Sequence, residues 1–255
     1  MSVEYARKGL VGLLTPQANT TVEPEFSILL PPGFAHVNAR LVSNKATIEE
    51  RLLDYLEVAE QVSDQFANAP IDSLALGCTG ASYLAGRENE ERLLERLGSR
   101  RGIPAYTAAS ALVDCLEHMG ARRIALATPY PEGLTQKSVK YWESHGLSVV
   151  KAANAITDSS NFHPIYSLSA EQAGGVLTEL GSLSGIDAVV MLGTGMPTLA
   201  PLLRANHSGH GVPVLSCMFC LAWKAVELAS PGEYSLQSWL RGEHWGARLE
   251  FLQRG

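Results

Sequence analysis

A chain of 255 residues, 46% of them hydrophobic, is long enough to bury one large core or two small ones. Its net charge of −6 comes without basic clusters, which argues against nucleic acid or an anionic membrane as a partner. Apolar runs of about seven residues fall short of the ~20 that a membrane span needs, and MSVEYARKGL lacks the apolar stretch of a signal peptide. Four cysteines are too few for a disulfide framework, so the expectation is a cytoplasmic protein with reduced thiols.

In chain order, residues 11–17 (VGLLTPQ) read as a strand that ends in turn formers. Asn19, Thr20 and Thr21 follow, with side chains suited to capping the next helix and to holding carboxylate oxygens. Residues 46–66 place Ile48, Leu52, Leu56, Ala59 and Val62 at three- and four-residue spacing, an amphipathic helix. A second apolar run, 71–76, stops at Cys78-Thr79-Gly80-Ala81. A thiol placed after a strand and ahead of a helix start meets backbone N–H groups that lower its pKa, which suits nucleophilic attack or proton transfer; the competing account is a small buried hydrophobe. Thr79, Gly80 and Ala81 offer hydroxyl and backbone donors to an anion, as bland turn residues would.

Helical patterns over 89–97 and 108–119 flank a strand that starts near Gly102; Cys115 falls on the apolar face of the second. Residues 124–130 (IALATPY) form another strand, and Tyr130 directly after it is placed to reach a cleft, or to be a core tyrosine with one hydrogen bond. After a helix over 134–145 comes the polar loop SSNFHPIYSLS, where Asn161 and His163 are candidates for a lid. A helix over 170–180 leads to residues 186–201, IDAVVMLGTGMPTLAP, whose Gly193, Thr194 and Gly195 at the strand end are substrate-binding candidates, with Thr194 and Gly195 offering donors opposite Thr79, Gly80 and Ala81. His207 and His210 precede Cys217 and Cys220, yet a strand over 212–216 spans ~16 Å and separates the two pairs too far for tetrahedral zinc. Cys220 falls inside an apolar helix over 218–228, which weakens a redox CxxC, while Cys217 sits at a strand end as a reserve second acid. No metal cluster, P-loop or dinucleotide fingerprint is present, and no cofactor is expected.

Three blocks recur in order at offsets of 113, 115 and 109 residues: VGLLTPQ with IALATPY, IDSLALGCTGASYLAG with IDAVVMLGTGMPTLAP, and GIPAYTAASALVDCL with GVPVLSCMFCLAWKAV. Three matches in register indicate a duplication. Short apolar runs alternating with helices predict an α/β fold of two pseudo-symmetric halves, each a parallel sheet flanked by helices, with the active site in the cleft between them. Residues 1–107 plus 216–255 are expected to form the first half and 108–215 the second.

A duplicated α/β chain with a strand-end thiol resembles the aspartate/glutamate racemase superfamily. LLTPQANTTVEPE, ALGCTG, ATPY, SSN and VVMLGTG are similar to its branch of maleate cis-trans isomerases and arylmalonate decarboxylases. The resemblance implies that Asn19 and Tyr130 bind a substrate carboxylate, that Asn161 contacts its other end, and that Cys78 is the nucleophile beside an anion-holding turn. It also implies a departure. Racemases and isomerases usually carry a second cysteine where this chain has Gly193, and the decarboxylases keep that cysteine with glycine at the first position. Two-base racemisation is thereby demoted, whereas addition of one thiolate to an alkene, rotation and elimination need only Cys78. The expected function is a cofactor-independent, maleate isomerase-like enzyme acting on a small dicarboxylate, with Cys78 and Tyr130 catalytic. The alternatives are a decarboxylase in which Cys78 protonates an enediolate, a racemase-like enzyme and a non-catalytic carboxylate binder. Gly193 is expected to leave either room for a larger substituent or a lost function. The partner is a small carboxylate, and self-association into a homo-oligomer is left open.

Overall fold

Two four-stranded parallel sheets organise the chain, each built from the apolar runs that the sequence repeats. The computed structural model describes residues 3–155, 164–207 and 211–253. The first sheet and its helices comprise β1 (Gly9–Pro16), α1 (Val22–Leu29), β2 (Phe34–Leu41), α2 (Ile48–Ser63), β3 (Ser73–Leu76), α3 (Thr79–Ala85), α4 (Arg87–Arg101) and β4 (Ala105–Thr107). Then α5 (Ala108–His118) leads to β5 (Arg123–Thr128), α6 (Glu132–Ser144), β6 (Ser148–Asn154), α7 (Ala170–Gly174), α8 (Leu177–Gly181), β7 (Ala188–Met191), α9 (Leu199–His207) and β8 (Val214–Ser216). The chain closes with α10 (Cys217–Ala229), α11 (Leu236–Leu240) and α12 (Gly246–Gln253). None of the described helices is long and apolar enough to cross a membrane.

Strand orders are β2-β1-β3-β4 and β6-β5-β7-β8, one topology used twice. The duplication extends to individual atoms. Asp72 accepts from the Leu10 N–H at 2.7 Å and returns its own N–H to the Leu10 carbonyl, and Asp187 does the same with Arg123, so each pins a strand start to its neighbour. Thr107 and Ser216 each end a strand and cap the next helix, accepting from Ser110 N at 2.9 Å and Phe219 N at 3.2 Å. Capping of this kind contributes about 1 kcal/mol and fixes where the helix starts. Because β1, β3, β5 and β7 are covered on both faces, their side chains are almost all buried and apolar, the condition for a parallel sheet. Helix α10 leaves the second sheet and packs on α5, α1, β1 and β3.

Two details differ from the sequence reading. The helical pattern over 170–180 divides into α7 and α8, because Gly174 lies under Pro201 with room only for hydrogen and the chain turns there. The edge strands β2 and β6 carry half-exposed polar residues such as His36, Asn38, Lys151 and Asn154, so neither has the apolar run that marks the other six.

A buried carboxylate ties the two sheets together. Glu25 on α1 accepts from Thr198 N at 2.6 Å, Thr198 Oγ1 at 3.0 Å and Leu199 N at 3.3 Å, capping α9 from across the cleft. Burial raises its carboxyl from 4.5 to about 7, with the Thr198 and Leu199 donors opposing. A raised carboxyl is stabilising while protonated, so this contribution is full below about pH 4.5 and is lost as pH rises through about 7. Glu25→Gln removes the titration. Urea unfolding of both proteins from about pH 5 to about pH 8 should show the stability of wild type relative to the variant falling with pH; a constant difference would mean that Glu25 does not titrate there.

Candidate active site

The C-terminal ends of β1, β3, β5 and β7 face one another, and their following peptides enclose a cavity of about 250 Å³. Asn19 enters it from the end of β1. Its Oδ1 accepts from Thr21 N at 2.9 Å and Val22 N at 3.1 Å, capping α1, while Nδ2 points across to Thr194 Oγ1 at 3.4 Å. Capping turns Asn19 inward and sends the next residue outward, so Thr20 is exposed and does not line the cavity, contrary to expectation. Thr21 instead donates to the Gly195 carbonyl at 2.9 Å.

Cys78 lies on the cavity wall at the N-cap of α3, only 3% exposed, with the Gly80 and Ala81 N–H groups directed at its sulfur. The sequence predicts a lowered thiol pKa here. The structure reverses that: burial outweighs the two N–H groups and pushes Cys78 up to about 11. Desolvating a sulfur anion costs more than two backbone dipoles return. Thr79 and Gly80 line the cavity, whereas Ala81 is fully buried and contributes only its N–H.

From the second sheet come Tyr130, Thr194 and Gly195. Tyr130 Oη is 2.9 Å from Thr79 Oγ1, joining the two halves at the cavity wall. Burial holds its phenol well above 10, so it stays protonated and can donate. Thr194 Oγ1 donates to the Gly77 carbonyl at 2.8 Å. Gly193 corrects a second expectation, because the position is not open space. Its φ is +86°, and a Cβ there would meet Pro129 Cγ at 2.8 Å, Ile165 Cδ1 at 3.0 Å and Tyr130 Oη at 3.3 Å. No room for a larger substituent exists at Gly193. Cys217 sits behind this wall, fully buried, its thiol donating to the Met191 carbonyl at 3.5 Å. Cys220 packs beside Cys115 in the core, and His207 Nε2 donates to the Arg241 carbonyl at 2.7 Å. Asn161, His163 and His210 lie outside the described residues.

Several cavity residues escape sequence reasoning. Ile48 and Leu52 read as a core stripe, but they and Tyr55 turn toward the cavity, opposite Leu134. Ile165 and Tyr166 close the site over Gly193 and Gly195; a Cβ on Gly195 would stand 2.6 Å from the Tyr166 ring. The only signal for these two is their place in the polar loop read as a lid. Glu49, exposed at the mouth, is the one charged residue among the described cavity residues. The Asn19 amide and the Tyr130 hydroxyl, both neutral, face the cavity beside an aliphatic wall.

A family profile described as arylmalonate decarboxylase matches residues 11–238. The chain is 27% identical to a maleate isomerase of Geobacillus stearothermophilus over 85% of its own length and 90% of the relative's. It is 26% identical to an arylmalonate decarboxylase of Bordetella bronchiseptica, covering 90% and 94% of the two chains. Among solved structures, a Nocardia farcinica maleate cis-trans isomerase variant with a covalently bound succinylcysteine intermediate superposes with a TM-score of 0.75 at 23% identity, covering 86% of this chain and 92% of that one. With the duplicated α/β topology, the strand-end cavity and a profile match over most of its length, the chain belongs to the arylmalonate decarboxylase family.

Proposed function

We propose that this chain is a maleate isomerase-like enzyme in which Cys78 is the nucleophile toward a small unsaturated dicarboxylate. The observation that carries the reading is the placement of Cys78: a strand-end thiol on the cavity wall, 3% exposed, with two N–H groups at its sulfur. Several relatives bearing the maleate isomerase name, and the succinylcysteine of the Nocardia farcinica protein, support it. The Cys78 thiolate adds to one alkene carbon, a C–S bond forms, and the π pair moves onto the adjoining carboxylate as an enediolate. The former double bond rotates as a single bond, the C–S bond breaks, and the alkene returns as the trans isomer. The Asn19 amide and the Tyr130 hydroxyl hold the carboxylate that receives the electrons, where their bonds strengthen as charge develops.

A second reading has its own observation. Ile48, Leu52, Leu134 and Ile165 give the cavity an aliphatic wall that suits an apolar substituent, and an apolar wall also destabilises a carboxylate about to leave as carbon dioxide. There Cys78 would act as the acid that protonates the resulting enediolate.

Proton NMR separates the two. Wild type should convert maleate to fumarate, and Cys78→Ala should lower the rate by about 10⁴-fold or more. Loss of carbon dioxide from a 2-arylmalonate without turnover of maleate would replace the lead reading with the second, and full activity in Cys78→Ala would remove both.

The raised thiol pKa yields an independent check. A group with a pKa of about 11 is ionised in only about one molecule in 10⁴ at neutral pH. If the thiolate attacks, kcat/KM for maleate rises with pH toward a tenfold gain per unit and reaches no plateau below about pH 9. If the thiol donates a proton, kcat/KM is flat through neutrality and falls only as the pKa is approached. A plateau below about pH 8 would contradict the desolvated Cys78 described above.

A further inference from the structure

Asn19 keeps one hydrogen-bonding atom, Nδ2, for a ligand, and the protein engages the others. Its N–H donates to the Pro16 carbonyl at 3.0 Å, Oδ1 accepts from Thr21 N and Val22 N, and its carbonyl accepts from Arg40 Nη1 at 2.7 Å. Tyr130 is held in the same manner. Its N–H donates to Thr128 Oγ1 at 3.2 Å, and its carbonyl accepts from Asn154 Nδ2 at 2.7 Å and Thr135 Oγ1 at 3.1 Å. We propose that Arg40 and Asn154 are a matched pair of positioning residues, one in each half, that fix the two carboxylate-binding side chains. The proposal rests on Asn19 and Tyr130 holding the substrate carboxylate, as read above.

The strand register makes the two residues equivalent. Arg40 on β2 stands opposite Thr15 of β1, and Asn154 on β6 stands opposite Thr128 of β5. Thr15-Pro16 and Thr128-Pro129 occupy the same place in the repeated block. Each edge strand therefore ends in a side chain that reaches past the sheet to the turn after the neighbouring strand, where a carbonyl has left the ladder and needs a donor. The geometry is kept although the residue type is not. Asn19 lies four residues beyond Thr15 and Tyr130 only two beyond Thr128, so the first clamp needs the longer side chain. Arg40 Nη1 spans two carbonyls of that longer turn, Pro16 at 3.1 Å and Asn19 at 2.7 Å.

Arg40 acts here as a donor and not as a free charge, since its Nη2 pairs with Glu23. Neither Arg40 nor Asn154 is among the described residues that line the cavity, so each works through the residue whose carbonyl it holds. A donor stabilises charge that develops on a carboxylate to the extent that it is already oriented, and fixing the backbone of Asn19 and Tyr130 sets the direction in which each side chain leaves.

Steady-state kinetics with maleate test the pair. Arg40→Gln and Asn154→Ala should each lower kcat by about tenfold with KM nearly unchanged, because the bonds from Asn19 and Tyr130 count most as the carboxylate gains charge. Asn19→Ser, which keeps a capping oxygen, and Tyr130→Phe supply two backgrounds. Arg40→Gln should cost less than about a further twofold in Asn19→Ser, and so should Asn154→Ala in Tyr130→Phe. In the exchanged backgrounds, Asn154→Ala in Asn19→Ser and Arg40→Gln in Tyr130→Phe, each should still lose its full factor. A general loss of packing would instead lower all four double variants alike, and that result would overturn the positioning role. Asn154 is exposed, so its cycle decides the matter should Arg40→Gln not fold. Wild-type kcat in Arg40→Gln or Asn154→Ala, beside slow Asn19→Ser and Tyr130→Phe, would overturn the pair and leave the carboxylate reading standing. Wild-type kcat in Asn19→Ser and Tyr130→Phe would remove that reading and the positioning role together.

Discussion

Thr194 Oγ1 donates to the Gly77 carbonyl at 2.8 Å, and through that bond the residue before Cys78 is held against the opposite sheet. Three more contacts cross the same seam: Thr21 to the Gly195 carbonyl, Thr79 to Tyr130, and Glu25 to the start of α9. All but the Glu25 contact, which reaches over from α1, belong to residues that follow strands, where backbone polar groups leave the sheet ladder and need new partners. The two halves supply those partners to each other. Docking the sheets and building the cavity are thus one event, and a cavity walled by satisfied groups has little freedom to collapse.

Satisfaction of the strand ends also sets the electrostatics. Among the described cavity residues charge is confined to Glu49 at the mouth, and the interior donors are amide, hydroxyl and backbone. Neutral donors hold an anion without a buried counter-charge, and they leave the titrating groups to be governed by desolvation. Cys78, Tyr55 and Cys217 are accordingly pushed up to about 11, about 12 and about 12, with burial the largest cause in each. A cation beside Cys78 would make a readier thiolate, but it would also bind a dicarboxylate tightly before reaction, which does not lower the barrier to the chemical step. A desolvated sulfur anion, costly to form, is correspondingly reactive once formed.

The fold was legible because the strands that carry it are buried on both faces. VGLLTP, SLAL, RIALAT and AVVM have no polar face to alternate with, and their repetition at fixed offsets exposed the two-sheet plan. The edge strands β2 and β6 were not legible, since one flank of each meets solvent and tolerates Arg40 or Lys151. At the site, residues named by their position after a strand, such as Asn19, Cys78, Tyr130 and Thr194, line the cavity. Thr20 shares that position and does not, because only the capping geometry of Asn19 decides which of two neighbours turns inward. The apolar wall was hidden for another reason: Leu52 on a helix stripe has the same sequence signature whether it faces a core or a pocket.

Gly193 shows how far position alone can mislead. In the repeat it stands where Cys78 stands, and sequence suggests a vacancy. Its φ of +86° and the closeness of Pro129, Ile165 and Tyr130 mean instead that the surroundings have closed on a backbone conformation that L side chains rarely adopt. Adding a side chain there would require backbone rotation and displacement of the Pro129 ring together, so the asymmetry is built into several residues rather than one. The pseudo-symmetric scaffold therefore need not carry pseudo-symmetric chemistry. The first half presents the Cys78 thiol on the cavity wall, while the second presents the Tyr130 hydroxyl. On the proposed reading a sulfur nucleophile is available from the first half alone, because the described cavity residues of the second half carry no thiol.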